Sequence, residues 1–400
     1  GRLDMKSEWK TYTVQELIDL GMLEAPMDGN HGNLHPKVSD YVLEGIPFIM
    51  ANDLVNGKID YKKCAHITEA QARQLKKGFA HPGDVLLTHK ATIGRTALVG
   101  NEYDTIVLTP QITYYRVKKG ISNRYLKAYF DSKEFQELLS NWAGSGSTRA
   151  YLGITAQRKL PILLPSIDIQ NKIASYCECI DGKITVNSMI NDNLLRQAQA
   201  LFKLWFVDFE PFSNQKPSGW SVSTLGNVSI MGAGGDKPQN VSPIKSNLCQ
   251  YPIYSNGLSE EGLYGFTDKP KIFKESVTVS ARGTIGFVCL RHIPYVPTVR
   301  LVTLIPKTEI ISAKYLYLWL KQLHITGTGT TQQQLTVPDF QKTEILVPSK
   351  EIVTLFTATV EPIFEKIWAN QSENEKLSSL RDTLLPKLMS GEIDVSDIQL

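Results

Sequence analysis

Residues 144–165 read GSGSTRAYLGITAQRKLPILLP, and residues 327–348 read GTGTTQQQLTVPDFQKTEILVP. The two stretches share glycine, threonine, leucine, lysine and proline at a constant offset of 183 positions, and the match continues without a gap to residues 209 and 392. Two copies of a long sequence unit predict two copies of one structural unit. Such an internal two-fold repeat suits a partner with two similar sites, for example a DNA duplex with two half-sites.

The size and composition of the chain place it in a broad class. With 400 residues it can form two or three domains, and no apolar run approaches the roughly 18 residues of a membrane helix. Residues 213–350 carry more Lys and Arg than Asp and Glu, which fits either a solvated face or a surface that follows phosphates. An odd, scattered set of cysteines indicates a reducing compartment, so we expect a cytoplasmic protein: Cys64, Cys177, Cys179, Cys249 and Cys289.

Each repeat contains a Gly/Ser/Thr-rich loop, called here the repeated loop, at residues 144–149 and 327–333. Downstream of it, apolar or special positions recur in alternating steps of four and three. A spacing of about 3.5 residues held this long is typical of a coiled coil, whereas the alternative is one amphipathic helix packed on a globular core. In the first copy these positions are Ile173, Cys177, Ile180, Ile184, Asn187, Asn191, Leu194, Ala198, Leu201 and Trp205. In the second they are Phe356, Val360, Ile363, Ile367, Asn370, Asn374, Leu377, Arg381, Leu384 and Leu388.

The asparagines in this pattern indicate how the two helices pair. In a symmetric antiparallel pair the numbers of facing residues have a constant sum, so Asn187 can face Asn374 while Asn191 faces Asn370. Burying Asn in the apolar contact between two helices costs free energy unless its amide meets a polar partner. A layer of paired Asn residues fixes the register of the two helices. We expect Pro362 to kink the second helix or begin a new segment, and Pro386 to end it.

Upstream of each loop, the sequence predicts a mixed α/β region. Residues 83–88 lead to residues 92–94, and residues 276–280 lead to residues 283–286; both pairs indicate a strand, a glycine-containing turn with basic residues, and another strand. One helix is predicted in each region, at residues 124–139 and 313–323. The predicted fold is therefore α/β, with two globular domains joined by two long helices that form an antiparallel coiled coil with an internal pseudo-two-fold repeat.

Two further strings carry a family resemblance. Residues 201–212 read LFKLWFVDFEPF, and residues 384–393 read LLPKLMSGEI. In this order, together with the repeated loop and the apolar strand that ends in proline, they resemble the specificity subunit of Type I restriction-modification enzymes. The resemblance divides the chain into a first target-recognition domain (1–168), a helical spacer (169–211), a second target-recognition domain (212–349) and a C-terminal helical region (350–400).

What this resemblance implies is a DNA-reading subunit without a catalytic centre. Such a subunit binds a split target and assembles with two modification subunits, which use S-adenosylmethionine to methylate adenine, and with restriction subunits, which use ATP and Mg. The sequence is consistent with this division, since it contains no Asn/Asp-Pro-Pro-aromatic motif, no phosphate-binding P-loop and no metal-ligand cluster. No cofactor is therefore expected on this chain itself, and no membrane partner.

Residues that read DNA are expected next to glycine-permitted turns, where a short loop can enter a groove. In the first domain the candidates are Thr88, His89, Lys90, Arg95, Ser145, Ser147, Thr148, Arg149 and Tyr151. In the second they are Ser280, Arg282, Thr284, Thr328, Thr330, Thr331, Gln332, Gln333 and Gln334. Arginine suits guanine or phosphate, and glutamine suits adenine; the alternative for each residue is a polar loop that touches no base.

A last group of candidates is apolar and lies at the helix ends. The resemblance assigns it to docking of a modification subunit, and the alternative is burial against the adjoining domain: Trp205, Phe206, Phe209, Phe212, Leu384 and Leu388.

Two other classes of function stay open at this point. One is a self-contained DNA methyltransferase or nuclease, and the other is a coiled-coil adaptor whose globular ends bind proteins.

Overall fold

The structure, a computed structural model, describes residues 9–144, 150–327 and 334–393 and separates into two compact units. The first unit comprises Gly1–Val186 with Ser372–Leu400, and the second comprises Asn187–Gln371. The boundaries between the units fall within the two long helices, so each unit contains part of both. The four segments expected from sequence group the residues differently, and that division stays a prediction.

The first unit contains short strands and helices ahead of the first long helix. In chain order these are β1 (Lys10–Thr13), α1 (Val14–Asp19), β2 (Met27–Asp28), β3 (Ile46–Ile49), β4 (Leu54–Val55), β5 (Lys58–Ile59), β6 (Ala65–Ile67), α2 (Glu69–Gln74), β7 (Phe79–Ala80), β8 (Val85–Lys90), β9 (Thr92–Leu98), β10 (Ile106–Leu108), β11 (Ile112–Tyr115), α3 (Asn123–Asp131), α4 (Lys133–Trp142), α5 (Ile154–Gln157) and β12 (Pro161–Leu164).

The first long helix, α6 (Ile167–Phe206), ends in the second unit, whose own elements follow it. In chain order these are β13 (Ser221–Thr224), α7 (Leu225–Val228), β14 (Ser229–Ala233), β15 (Tyr251–Tyr254), β16 (Leu263–Thr267), β17 (Ser276–Ser280), β18 (Val288–Arg291), β19 (Val296–Pro297), β20 (Leu301–Pro306), α8 (Ala313–Gln322), α9 (Val337–Phe340), β21 (Glu344–Val347) and the second long helix, α10 (Lys350–Met389).

The two units share most of their sheet topology; among the described strands, β7 and the β4–β5 pair of the first unit have no counterpart in the second. A strand pair β1-β12, a sheet β2-β11-β8-β9 and a sheet β6-β3-β10-β7 in the first unit correspond to β13-β21, β14-β20-β17-β18 and β16-β15-β19 in the second. Even the parallel pairing recurs, since β10 runs parallel to β3 and β19 runs parallel to β15. The repeat therefore extends into the regions where the two sequences have diverged.

The sequence offset is reproduced by the element boundaries. The strands β12 and β21 and the long helices α6 and α10 begin and end at positions 183 residues apart. In the second unit Trp205 packs against Phe356, with ring centroids 5.6 Å apart, and Asn191 is bonded to Asn370, so the helices run antiparallel there. The predicted α/β class with an internal repeat and two long helices is confirmed.

Both prolines of the second long helix lie inside α10. The prediction that Pro386 ends this helix is wrong, and no new segment begins at Pro362; the kink expected at Pro362 stays a prediction. A proline removes one backbone hydrogen bond, but Pro362 is exposed and water can bond to the carbonyl that loses its partner. Buried neighbours such as Val360 and Phe364 hold the helix on its unit.

The single helix predicted over residues 124–139 is two helices, α3 and α4. Ser132 ends the first with an extended backbone and caps the second, where its hydroxyl accepts a hydrogen bond from the Phe135 amide. Serine competes for backbone hydrogen bonds and favours caps over helix interiors. The break lets Phe130 and Phe135 stack, with ring centroids 4.6 Å apart, in the core of the first unit.

The buried face at the end of α6 differs from the predicted seam. Ala198, Phe202 and Phe206 are the buried positions, at steps of four, whereas Leu201 and Trp205 are half-buried. The reason is that this part of the helix packs on the core of the second unit as well as on α10, and a face shared by two neighbours is wider than a two-position seam.

Candidate nucleic-acid interface

In the first unit, the turn between β8 and β9 lies beside the downstream end of the repeated loop. The Leu152 amide donates to the His89 carbonyl at 3.0 Å, the Ala91 amide donates to the Ala150 carbonyl at 3.1 Å, and Lys90 forms a bridge with Tyr151. Lys90 is exposed at the end of β8, and Ala91 follows it with a positive φ of 64°. Two segments that are 60 residues apart in sequence thus form one end of the unit.

The second unit makes the same junction at the matching place. The Leu335 amide donates to the Ala281 carbonyl at 2.8 Å, and Leu335 lies 183 positions after Leu152. Ala281 therefore corresponds to His89, and the residue that follows it, Arg282, corresponds to Lys90. Each unit places one exposed basic residue where its strand meets its repeated loop.

Three candidates are corrected, because they are buried within the central strands. Thr88 and His89 are fully buried in β8, and Ser280 is 1% exposed in β17. The Thr88 hydroxyl accepts a hydrogen bond from the Arg95 amide at 2.8 Å. These three side chains are not accessible to DNA in the folded units.

Arg95 is exposed, but its guanidinium is directed to its own unit. Its Nη1 donates to the carbonyl of Ala51 at 3.2 Å and to that of Leu54 at 3.4 Å. These bonds connect β9 to the β4–β5 hairpin, so we assign Arg95 to the framework of the site. Tyr151, in contrast, is 53% exposed beside Lys90.

In the second unit, the loop after Ala281 is held by Asn256. Asn256 Nδ2 donates to the Arg282 carbonyl at 2.8 Å, and the Thr284 hydroxyl donates to the Asn256 carbonyl. Gly283 and Gly286 have positive φ values of 78° and 82°, which the turn requires. Sequence reasoning missed Asn256, although Asn followed by Gly257 is a common turn signal.

Lys237 and Tyr264 form a second feature that sequence reasoning missed. The Lys237 ammonium lies 3.9 Å from the centroid of the Tyr264 ring, and both residues are exposed. Tyr264 is the second residue of β16, which follows the turn that carries Asn256. An exposed ammonium over an aromatic ring is a group that can contact a phosphate or a base.

Several predicted contact residues cannot be placed. Gln334 is described and is exposed at the edge of the repeated loop. The other candidates in the two loops lie outside the described residues: Ser145, Ser147, Thr148, Arg149, Thr328, Thr330, Thr331, Gln332 and Gln333. Their role as DNA contacts stays a prediction.

The predicted docking group is largely part of the two cores. Phe206 is 2% exposed and packs on Tyr315 and Phe356, with ring centroids 4.9 and 4.8 Å apart, so its assignment to docking is corrected. Leu388, 4% exposed in the core of the first unit, is corrected for the same reason. Half-buried members of the group keep part of their surface free: Trp205, Phe209, Phe212 and Leu384.

The structure brings together one pair of the predicted polar layer. Asn370 Nδ2 donates to Asn191 Oδ1 at 2.8 Å, and Asn191 Nδ2 donates to the Ile367 carbonyl at 3.2 Å. Asn187 and Asn374 belong to different units, and their pairing stays a prediction. The observed pair satisfies the polar groups of its layer, which is what allows asparagine to fix register.

Across residues 9–144, 150–327 and 334–393, no group of three or more His, Cys, Asp or Glu side chains is placed to hold a metal ion. None of the described helices combines the length and apolar character that a membrane span requires.

The burial of His89 predicts a pH dependence of stability. Burial lowers the pKa of His89 below 6.5, so the folded unit holds it neutral, with Nδ1 3.1 Å from the Leu152 carbonyl. The unfolded chain takes up this proton below about pH 6.5, so stability falls as the pH drops below that value. We expect His89→Asn, which keeps a donor but does not titrate, to lose less thermal stability between pH 7 and 5. Parallel pH profiles for the two proteins would contradict this account.

Comparison with known proteins gives a consistent family signal. A family model described as Type I restriction modification DNA specificity domain matches residues 6–196 and 217–378. The Type I restriction enzyme MjaIX specificity subunit of Methanocaldococcus jannaschii is 28% identical over 428 residues, covering 97% of this chain and 95% of that protein. The HindI specificity subunit of Haemophilus influenzae is 25% identical over 475 residues, covering 97% of this chain and 100% of that protein.

A solved structure is similar in fold. The Type-I restriction-modification system S subunit from M. genitalium has a TM-score of 0.54 at 16% identity, and the match covers 95% of this chain and 96% of that one. At this identity the likeness concerns the fold alone.

Proposed function

The chain belongs to the Type I restriction modification DNA specificity domain family, and from that premise we propose that it binds a bipartite DNA target, one half-site per unit. As a specificity subunit, it is a non-catalytic DNA-recognition component of a Type I restriction-modification system. The observation that carries the bipartite proposal is the repeated junction, where in both units the strand end that bears an exposed basic residue is bonded to the residues that follow the repeated loop.

The two half-sites differ in sequence under this proposal. The equivalent basic residues are Lys90 and Arg282, which differ in how they hydrogen-bond, since arginine can make a bidentate contact with guanine and lysine acts as a point charge. Asn256 holds the loop that carries Arg282, and the exposed Lys237–Tyr264 pair would add a contact that has no counterpart in the first unit's predicted set. Each unit would therefore read its own short sequence.

The partners follow from the same assignment. We infer that the chain assembles with two modification subunits, which hold S-adenosylmethionine and methylate adenine, and with restriction subunits, which hold ATP and Mg. The half-buried aromatic residues Trp205, Phe209 and Phe212 have free surface for such a contact. Aromatic side chains with a buried base and an exposed edge are frequent anchors of protein interfaces.

Substitution at the two junctions tests the proposal. We expect Arg282→Ala and Lys90→Ala to weaken binding of the assembled complex to its target, by about 1 to 3 kcal/mol for a bidentate base contact and less for a phosphate contact. Each variant should relax preference at one half-site only. The readout is the dissociation constant on targets with either half-site altered, at a fixed salt concentration.

Lys307→Ala is the matched control for Arg282→Ala. Lys307 follows β20 at the end opposite Leu301, which pairs with Ser280 beside the junction, and its ammonium bonds to the Asn227 carbonyl at 2.8 Å. Its removal should leave binding unchanged. If both junction variants bind like the control, the junctions do not read the target.

A further inference from the structure

The same ionic link joins a short helix to a long helix in each unit. Arg124, the second residue of α3, pairs with Glu178 of α6 and donates through Nη2 to the Ser175 hydroxyl at 3.2 Å. Lys314, the second residue of α8, lies 3.1 Å from Glu361 of α10. Glu178 and Glu361 are 183 positions apart, so the link occupies one place in the repeat although its cation differs.

A second link fixes the same short helices to the strand that precedes each long helix. The Tyr125 hydroxyl donates to the Leu163 carbonyl, and the Tyr315 hydroxyl donates to the Leu346 carbonyl, both at 2.7 Å. Both tyrosines are fully buried. Each short helix is therefore held at two points, one on the long helix and one on the strand that precedes it.

The short helices in turn pack against the strands that lead to Lys90 and Arg282, and the ends of the units that carry these two residues are called here the reading ends. In the first unit α3 packs against β8 and β9, which flank Lys90. In the second unit α8 packs against β17, β18 and β20, and β17 leads to Arg282. A change in the angle of a short helix would therefore move the reading end of its unit relative to the long helix.

We propose that the Arg124–Glu178 and Lys314–Glu361 pairs, called here the braces, set how strictly the complex selects the spacer between half-sites. The inference rests on the proposed bipartite function. A loosened brace lets one reading end shift along the duplex, where one base pair corresponds to about 3.4 Å. The half-site sequences are read by other residues and do not change.

The two braces differ in environment. The Lys314 side chain is 5% exposed and also meets Glu275 at 2.8 Å, whereas the side chains of Arg124 and Glu178 are 38% and 49% exposed. Water and salt screen an exposed pair more than a buried one. The brace of the first unit is therefore the weaker one, and added salt loosens it more than the brace of the second unit. The range of spacer lengths that the complex accepts should widen with salt for this reason.

The test uses the chain assembled with its modification subunits and a set of targets that keep both half-sites while the spacer changes by single base pairs. Arg124→Gln and Arg124→Glu break the brace, and Arg124→Glu with Glu178→Arg restores it with reversed charges. We expect methylation at spacers one base pair longer or shorter, relative to the preferred spacer, to rise several-fold in both single variants and to return to the wild-type value in the double variant.

Arg73→Glu is the control, since Arg73 pairs at 2.9 Å with Glu69 within α2 and is not part of a brace. If the Arg124 substitutions only destabilised the domain, methylation would fall equally at every spacer length. The double variant with reversed charges would then not recover it. A wild-type spacer profile in the Arg124 variants, or a double variant as permissive as the single ones, overturns the brace. A wild-type complex indifferent to spacer length would instead overturn the bipartite function itself.

Discussion

A complex whose specificity chain carries seven extra residues in each long helix is expected to methylate the same two half-sites with a spacer about three base pairs longer. Seven residues add about 10 Å of helix at 1.5 Å per residue, and one base pair spans about 3.4 Å. Seven residues also preserve the coiled-coil register. The insertions belong between Val186 and Asn187 and between Gln371 and Ser372, where the boundaries of the compact units lie, so that each unit stays intact.

The measurement is the methylated sequence selected from a pool with randomised spacers. The same seven residues inserted after Gln215, in the exposed connection that follows α6, provide the control and should leave the spacer unchanged. An active heptad variant that keeps the original spacer would show that the helices do not set the distance. Altered half-sites would show that reading extends beyond the globular parts of the units.

Phe206→Ala is expected to destabilise the second unit by about 3 to 5 kcal/mol, the usual cost of removing a buried phenylalanine ring. The side chain is 2% exposed and is enclosed by aromatic rings, so the substitution leaves a cavity that these rings cannot fill without moving. The enclosing residues are Phe202, Trp220, Tyr315 and Phe356. The measurement is the urea midpoint, followed by a probe in the second unit because a chain with two units need not unfold in one step.

Val207→Ala is the matched control for this core position. Val207 is the next residue and is 43% exposed, so its truncation should shift the midpoint little. If Phe206 instead docks the modification subunit, the opposite result is expected. If Phe206→Ala keeps wild-type stability but no longer binds the modification subunit, the ring is an interface residue after all.

The repeat and the long helices could be predicted from sequence because both are periodic. The 183-residue offset and the 3.5-residue spacing are properties of the chain itself, and they located α6 and α10 closely. The effect of proline on the end of the second long helix could not be predicted from this periodicity. Local propensity predicts a break at Pro386, but packing of Leu385, Leu388 and Met389 in the core of the first unit outweighs the lost hydrogen bond.

The candidate site could be predicted only in part, because burial is not a local property. Every residue of β8 from Val85 to His89 is buried, so the strand lacks the alternation that would show which side chains face solvent. Thr88 and His89 look like loop residues by type but are interior. Lys90 and Arg282 could be predicted because they lie where strands end, whereas Asn256 acts through a contact with a loop 26 residues away that no local pattern encodes.

The central claim is that this chain chooses a bipartite target for adenine methylation. Its most direct test is genome-wide mapping of methylated adenines in a host that carries the chain with a modification subunit, compared with the modification subunit alone. The account predicts one motif that appears only with the chain present, consisting of two different short sequences separated by a spacer of fixed length and no fixed sequence. A contiguous motif, or methylation that is the same without the chain, would contradict it.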